Sequence, residues 1–200
     1  AYARPWAIVA GLALVALFFV LAQVQSQPPA ALPADAPAAQ FSAGRAMALL
    51  AELLAEDRPH PVGSEANAVV RERLVAHLAA LGYDVEIQET VACHGWTGTQ
   101  ATCAPVQNLA ARLPGQVQGP TVALVAHFDS VGAGPGAADD MAGVAAILEI
   151  ARAFQVEGPR RNPVVFLLTD GEEVGMMGAR AFAAGHPWAQ DLGVVLNFEA

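Results

Sequence analysis

The chain has 200 residues, enough for one ordinary domain with an appendage. Its formal charge is −9, from 10 basic and 19 acidic residues. That balance excludes the basic footprint of a nucleic-acid-binding protein. The hydrophobic fraction of 54% is raised by alanine and by one N-terminal stretch.

That stretch, "WAIVAGLALVALFFVLAQV" from Trp6 to Val24, is uncharged. It approaches the roughly 20 residues needed to cross a bilayer. Arg4 precedes it as a basic flank and Trp6 as an interfacial anchor, and no Lys or Arg follows until Arg45. The positive-inside rule then predicts a cytoplasmic N-terminus, with all that follows on the exoplasmic side of the membrane. A cleaved signal peptide is the competing reading, with "ADA" at 34–36 as its cleavage pattern. The apolar run is longer than the usual core of such a peptide, which favours the anchor. The expected domains are an anchor at 1–25, a Pro/Ala linker without a core at 26–40, and a folded domain over 41–200. The chain does not begin with Met and stops inside the strand-like "VVLNFEA". It therefore reads as a piece of a longer protein.

From Phe41, "FSAGRAMALLAELLAE" has helical spacing with Ser42 as N-cap. "RPHPVGSEAN" is a loop. Ser64 opens a second helix that runs to Leu81, and Gly82 stands where a terminating glycine belongs. "YDVEIQETV" alternates as a half-exposed strand. Cys93 and Cys103 bracket a Gly/Thr loop, "HGWTGTQAT". In an exported protein such a pair is expected to form a disulfide. A zinc site using His94 has no recognised spacing. "VQNLAARLPG" is a further strand. "TVALVAH" and "NPVVFLLTD" are unbroken apolar runs, as in strands buried on both faces. A helix, "MAGVAAILEIARAF", lies between them. "EEVGMMGARAFAAG" reads as another helix, and "LGVVLNFEA" as a last strand. This order predicts an α/β fold with a mixed, largely parallel sheet flanked by helices.

The polar residues fall at strand ends. The first apolar strand ends in His127 and Asp129, and the loop after it carries Asp139 and Asp140. The second ends in Asp170, Glu172 and Glu173, the third in Glu199. Each element has an ordinary explanation. A His after a strand is commonly a hydrogen-bonded loop residue, and adjacent acids before a helix commonly partner its dipole. Together they point elsewhere, because strand carboxyl ends form the ligand crevice of open α/β sheets. Burying so many carboxylates costs several kcal/mol each without compensation. The chain has no lysine, and the nearest arginine to the glutamate pair is Arg180. A metal centre resolves the conflict. His and carboxylate ligands suit zinc, and two ions would offset the charge.

The succession H-x-D, D-D-x-x-G, G-E-E-x-G and a carboxylate on a following strand resembles metallopeptidase family twenty-eight. These are co-catalytic di-zinc exopeptidases, mostly aminopeptidases. "RPHPVGSEAN" and "NLAARLPG" resemble the family's upstream segments, so the likeness runs from residue 41 to the end. The anchor and "VVLNFEA" resemble the branch related to the endoplasmic-reticulum metallopeptidase. The resemblance implies the zinc exopeptidase fold, two zinc ions per complete domain, and peptide or protein N-termini as substrates.

It also implies roles. His127 would bind one zinc, with Asp129 holding its imidazole. Asp139 would bridge both ions, with a cis peptide between it and Asp140. Glu173 would bind the second zinc, and Glu199 the same zinc as His127, although many family members have Asp there. Glu172 would be the general base. The family's last ligand, a His, falls beyond Ala200. His60, His77, His94 and His186 lie in the wrong places for it and read as structural or surface residues. Two rivals share the scaffold: a glutaminyl-cyclase-like single-zinc acyltransferase, and a non-catalytic receptor ectodomain. Gly143 and the "EEVGMMGAR" run favour the peptidase over the first. Retention of every ligand expected in this span disfavours the second.

Overall fold

In the computed structural model the described residues are 5–97, 100–158 and 160–199. Arg4, the expected basic flank, lies outside them. The chain divides into two compact units, one up to Ala31 and one from Leu32 onward. The first contains α1 (Pro5–Gln25), whose 21 residues carry no charge. It is long and apolar enough to cross a membrane.

The second unit is built on a five-stranded mixed sheet of order β1-β2-β4-β3-β5. The strands are β1 (Val85–Thr97), β2 (Gln100–Leu113), β3 (Thr121–His127), β4 (Val164–Thr169) and β5 (Leu192–Asn197). β3, β4 and β5 run parallel, and β2 pairs antiparallel with both β1 and β4. This is the expected mixed architecture, with three parallel strands side by side.

Period-2 alternation divides the sheet between two cores. Leu124, Ala126, Phe166 and Leu168 point to one face. There they meet α2 (Ala43–Leu53), α3 (Glu65–Ala80) and α4 (Ala142–Glu157). Ala123, Val125, Val165 and Leu167 point to the other, against Phe182 of α5 (Met177–Gly185) and Trp188. Full burial of residues such as Leu74, Leu78, Ile147 and Phe166 contributes about 1.5–3 kcal/mol each. Tyr83 packs edge-on to Phe166 at 5.2 Å, and its hydroxyl donates to the Ala151 carbonyl at 2.9 Å.

Capping follows the sequence. Ser42 Oγ accepts from Arg45 N at 3.1 Å, and Ser64 Oγ from Asn67 N at 3.0 Å. Gly82, beyond α3, has φ +87°.

Three local expectations change. The Cys loop is an extended hairpin in which β1 and β2 are longer than the apolar pattern suggests. Cys93 and Cys103 are register partners in it and form a disulfide. The helix expected from Glu172 begins only at Met177. Gly171, Gly175 and Met176 all have positive φ, so residues 171–176 form a turn. Within it the Glu172 carbonyl accepts from Gly175 N and Met176 N, both at 2.8 Å.

The third change concerns the Pro/Ala stretch. Its later part is held to α2 and α4 rather than free. Arg45 donates to the carbonyls of Ala34, Ala36 and Gln40, and Arg152 to those of Ala38 and Gln40. Both guanidinium groups bond Glu149, which is buried in α4. Burial alone would raise the Glu149 pKa. Hydrogen bonds from Arg152, Ser42 N and Arg45 outweigh it and hold the carboxyl below its usual range.

Candidate metal centre

β3, β4 and β5 are parallel and end at one edge of the sheet, so the loops that leave them converge. β3 delivers His127, which is 2% exposed. Its Nδ1 lies 3.1 Å from the Asp129 backbone carbonyl and 3.5 Å from that residue's carboxylate. Both are acceptors, so Nδ1 carries a proton. Nε2 faces Asp139 Oδ1 at 3.0 Å and Glu199 Oε1 at 3.7 Å.

Asp139 and Asp140 come from a short turn, Ala137–Met141, whose backbone is non-helical at both residues and which leads into α4. The peptide bond between them is cis. Asp139 is exposed, but Asp140 turns inward. Its Oδ2 accepts from His127 N at 3.3 Å and its Oδ1 from Gly143 N at 3.2 Å. β4 delivers the turn with Glu172 and Glu173. Its backbone is gripped by Asp129, which is 1% exposed. One oxygen accepts from Glu172 N at 2.9 Å and the other from Glu173 N at 3.2 Å. Gly175 is favoured in this turn because its φ is +114°, a conformation that residues with a Cβ rarely adopt.

Two groups of possible metal ligands result. His127, Asp139 and Glu173 bring one donor atom each within 4.8 Å of one another, and so do His127, Asp140 and Glu199. Every expected ligand is therefore brought together, and the two groups share His127. Glu172 is in neither, yet with His127 and Glu199 it lines a cavity of about 380 Å³. The cavity's remaining walls are mainly apolar and include Val125, Leu167 and Phe182.

Sequence reasoning gave Asp140 no ligand role. The only signal was its adjacency to Asp139, and adjacency does not reveal which of two carboxylates turns inward. Among the described residues, none of His60, His77, His94 and His186 enters a ligand group. His60 is buried beside the site and bonds Ser130 Oγ through its backbone N–H at 2.8 Å. His186 is buried against Phe182, with ring centroids 4.4 Å apart.

The electrostatics reflect crowded acids. Burial disfavours protonated His127, but the hydrogen bond and charge of Asp129, the hydrogen bond of Asp139 and the charge of Glu172 outweigh it. The imidazole is pushed up to about 10. Asp140 is pushed up to about 6, chiefly by burial and against the pull of His127. Burial raises Glu172, with Glu199, Asp129 and Asp139 adding to the effect. Burial and the Asp139 charge raise Glu173. No lysine exists to neutralise this set, and no arginine bonds it among the described residues. A protonated imidazole supplies one positive charge. The donor types and their convergence fit divalent cations better, one of which would take the place of the proton on His127 Nε2.

Residues 108–200 match the model of Peptidase family M28. A vacuolar membrane protease of Schizophyllum commune is 34% identical over 148 residues, which is 71% of this chain and 16% of that protein. The chain thus spans about a sixth of the length of such curated relatives. Among solved structures, an Acidobacteriales bacterium glutaminyl cyclase superposes with TM-score 0.65 at 21% identity, over 84% of this chain and 61% of that one. A Zn-dependent exopeptidase from Parabacteroides distasonis superposes with TM-score 0.62 at 23% identity, over 76% and 58%. These two likenesses establish the fold. Over residues 108–200 the chain matches Peptidase family M28 in sequence, and the sheet topology and the acidic strand ends agree with that match.

Proposed function

We propose that the complete protein is a membrane-anchored, exoplasmic di-zinc exopeptidase that removes N-terminal residues from peptides. The observation that carries this reading is the convergence of His127, Asp139, Glu173 and Glu199, with Glu172 on the cavity wall beside His127 and Glu199 and in neither ligand group. One metal would be held by His127 and Glu199, the other by Glu173, and Asp139 would be shared. Asp140 is available to the first ion or steadies it through the His127 backbone. Zinc, when bound, supplies Lewis acidity toward water and the scissile carbonyl.

The remaining work falls to the chain. Asp129 fixes the direction of both glutamates by accepting their backbone N–H groups. His127 keeps its proton on Nδ1, which leaves Nε2 free as a donor to metal. The Glu172 carboxylate takes a proton from the attacking water and returns it to the leaving amine. Burial raises its pKa, the direction required of a group that must also hand the proton on. The apolar cavity beside Glu172 offers room for a substrate side chain. The uncharged helix α1 and the vacuolar membrane protease relatives support membrane attachment.

The test is zinc titration of the metal-free complete protein, with hydrolysis of amino-acyl reporter substrates and cyclisation of N-terminal glutamine followed in parallel. Two equivalents of zinc with amide hydrolysis are expected. One equivalent with cyclisation would instead establish the single-zinc acyltransferase. Zinc binding with neither activity would leave the non-catalytic reading.

A further inference from the structure

Glu172 and Glu173 are held by a second device besides Asp129. Asp170, two positions before Glu172, is 1% exposed, and both of its carboxylate oxygens are engaged. Oδ1 accepts from Asn67 Nδ2 at 3.1 Å, and Oδ2 accepts from Gln107 N at 3.0 Å. The backbone of Asp170 is clamped as well. Its N–H donates to Asn108 Oδ1 at 3.0 Å, and its carbonyl accepts from Gly178 N at 2.9 Å. One residue thereby joins α3, β2 and α5 just before the turn that presents the glutamates. The turn can hardly shift while Asp170 is held.

Asn67 closes this clamp and is itself 1% exposed. Its Nδ2 also lies 3.4 Å from the His60 carbonyl, and its Oδ1 accepts from Arg71 at 3.3 Å. Each end of the amide therefore has a fixed partner, and its orientation is determined. His60 in turn bonds Ser130, the neighbour of Asp129. The stretch "HPVGSEAN" thus braces the acidic turn through Asp170 and lies against the chain beside Asp129.

We infer that Asn67 is a positioning residue for Glu172 and Glu173, acting through the Asp170 carboxylate. The role needs a neutral donor. An aspartate in its place would set two carboxylates face to face at hydrogen-bond distance in a buried site, and Asp170 would swing away. The inference rests on the peptidase reading for its catalytic consequence but not for its structural one, so two readouts are required.

The experiment uses the complete protein with three variants: Asn67→Asp, Asp170→Asn, and the exchange of both. In the double variant the amide introduced at position 170 can donate to the carboxylate introduced at position 67, while its oxygen still accepts from Gln107 N. The contact between positions 67 and 170 is then rebuilt with its polarity reversed, and only the long 3.4 Å contact of position 67 with the His60 carbonyl is lost. The first readout is amide hydrogen exchange in the peptide covering 170–176, measured without metal. Each single variant is expected to speed exchange at least tenfold, and the exchanged pair to restore it to within threefold. The second readout is peptide hydrolysis with zinc. Each single variant should lower kcat at least tenfold with KM changed less than threefold, and the pair should recover. Unchanged exchange in Asn67→Asp, or a double variant as impaired as either single one, would overturn the inference. If the exchange pattern holds while the wild-type protein hydrolyses no peptide, the peptidase reading fails and the clamp stands.

Discussion

Asp140 and Gly143 illustrate how far one side chain dictates another. A Cβ at 143 would lie 2.3 Å from Asp140 Oδ1, and that carboxylate also holds the His127 backbone. Gly143→Ala is therefore expected to cost about 1–3 kcal/mol as overpacking. It should also weaken zinc binding, because Asp140 must move. Thermal denaturation and zinc titration check both, and adding Asp140→Ala should then cost less than additively. Strict additivity would show that the two side chains do not meet. Asp139→Asn should lose most bound zinc, since Asp139 is the proposed shared ligand. Asp129→Asn should retain the ligands but lose one of the two carboxylate oxygens that accept from Glu172 N and Glu173 N. A weakening of about 10–100-fold in metal affinity is expected for such a support. If Asp139→Asn still held two zincs per chain by metal analysis, its shared role would be wrong. His127, Glu173 and Glu199 were legible as candidates in the sequence because each sits at or just beyond an apolar strand, whereas Asp139 was singled out from Asp140 only by the family resemblance. The roles of Asp140, Asp170 and Asn67 were not legible, because their importance lies in which way a side chain turns and what it meets from elements far along the chain.

At the scale of elements, the apolar runs identified β3, β4 and β5 because parallel central strands bury both faces. The hairpin end of β1 and β2 escaped this reading. Its Gly and Thr residues carry no apolar signal, and the pairing of Cys93 with Cys103 is what marks it. The late start of α5 was equally hidden, since positive φ at Met176 is not legible in the residue type. Backbone carbonyls hold the later part of the Pro/Ala stretch, through Arg45 and Arg152 on either side of Glu149. Glu149→Gln should leave both guanidiniums poorly paired and destabilise the domain by about 3 kcal/mol, the lower end for a broken buried pair. The sign with pH is definite. Glu149 has a lowered folded pKa, so its contribution is present above its ordinary value of 4.5 and is lost as pH falls through the folded value. The wild-type protein should lose its stability advantage over Glu149→Gln in acid, as measured by melting temperature between pH 7 and pH 3. A constant difference across that range would contradict the assignment.

For the molecule as a whole, charge, anchor and site belong together. An acidic domain that lacks lysine gathers Asp139, Asp140, Glu173 and Glu199 around His127 at the carboxyl ends of its parallel strands, a set that the proposed zinc ions would neutralise. The anchor prediction is tested by adding protease outside intact cells or spheroplasts. Digestion of the domain with α1 retained in the membrane fraction is expected, whereas complete protection would reverse the orientation. Release of intact domain into the medium would favour a cleaved leader. The central claim is that two adjacent glutamates do different work, Glu173 holding metal and Glu172 moving protons. Zinc content measured beside peptide hydrolysis, on the complete protein carrying Glu172→Gln or Glu173→Gln, tests it most directly. Glu172→Gln should keep its full zinc complement while kcat falls by about 10²–10⁴, the usual worth of general acid–base catalysis. Glu173→Gln should lose zinc. Zinc lost from Glu172→Gln but kept in Glu173→Gln would reverse the two roles, and undiminished hydrolysis in both would contradict the account.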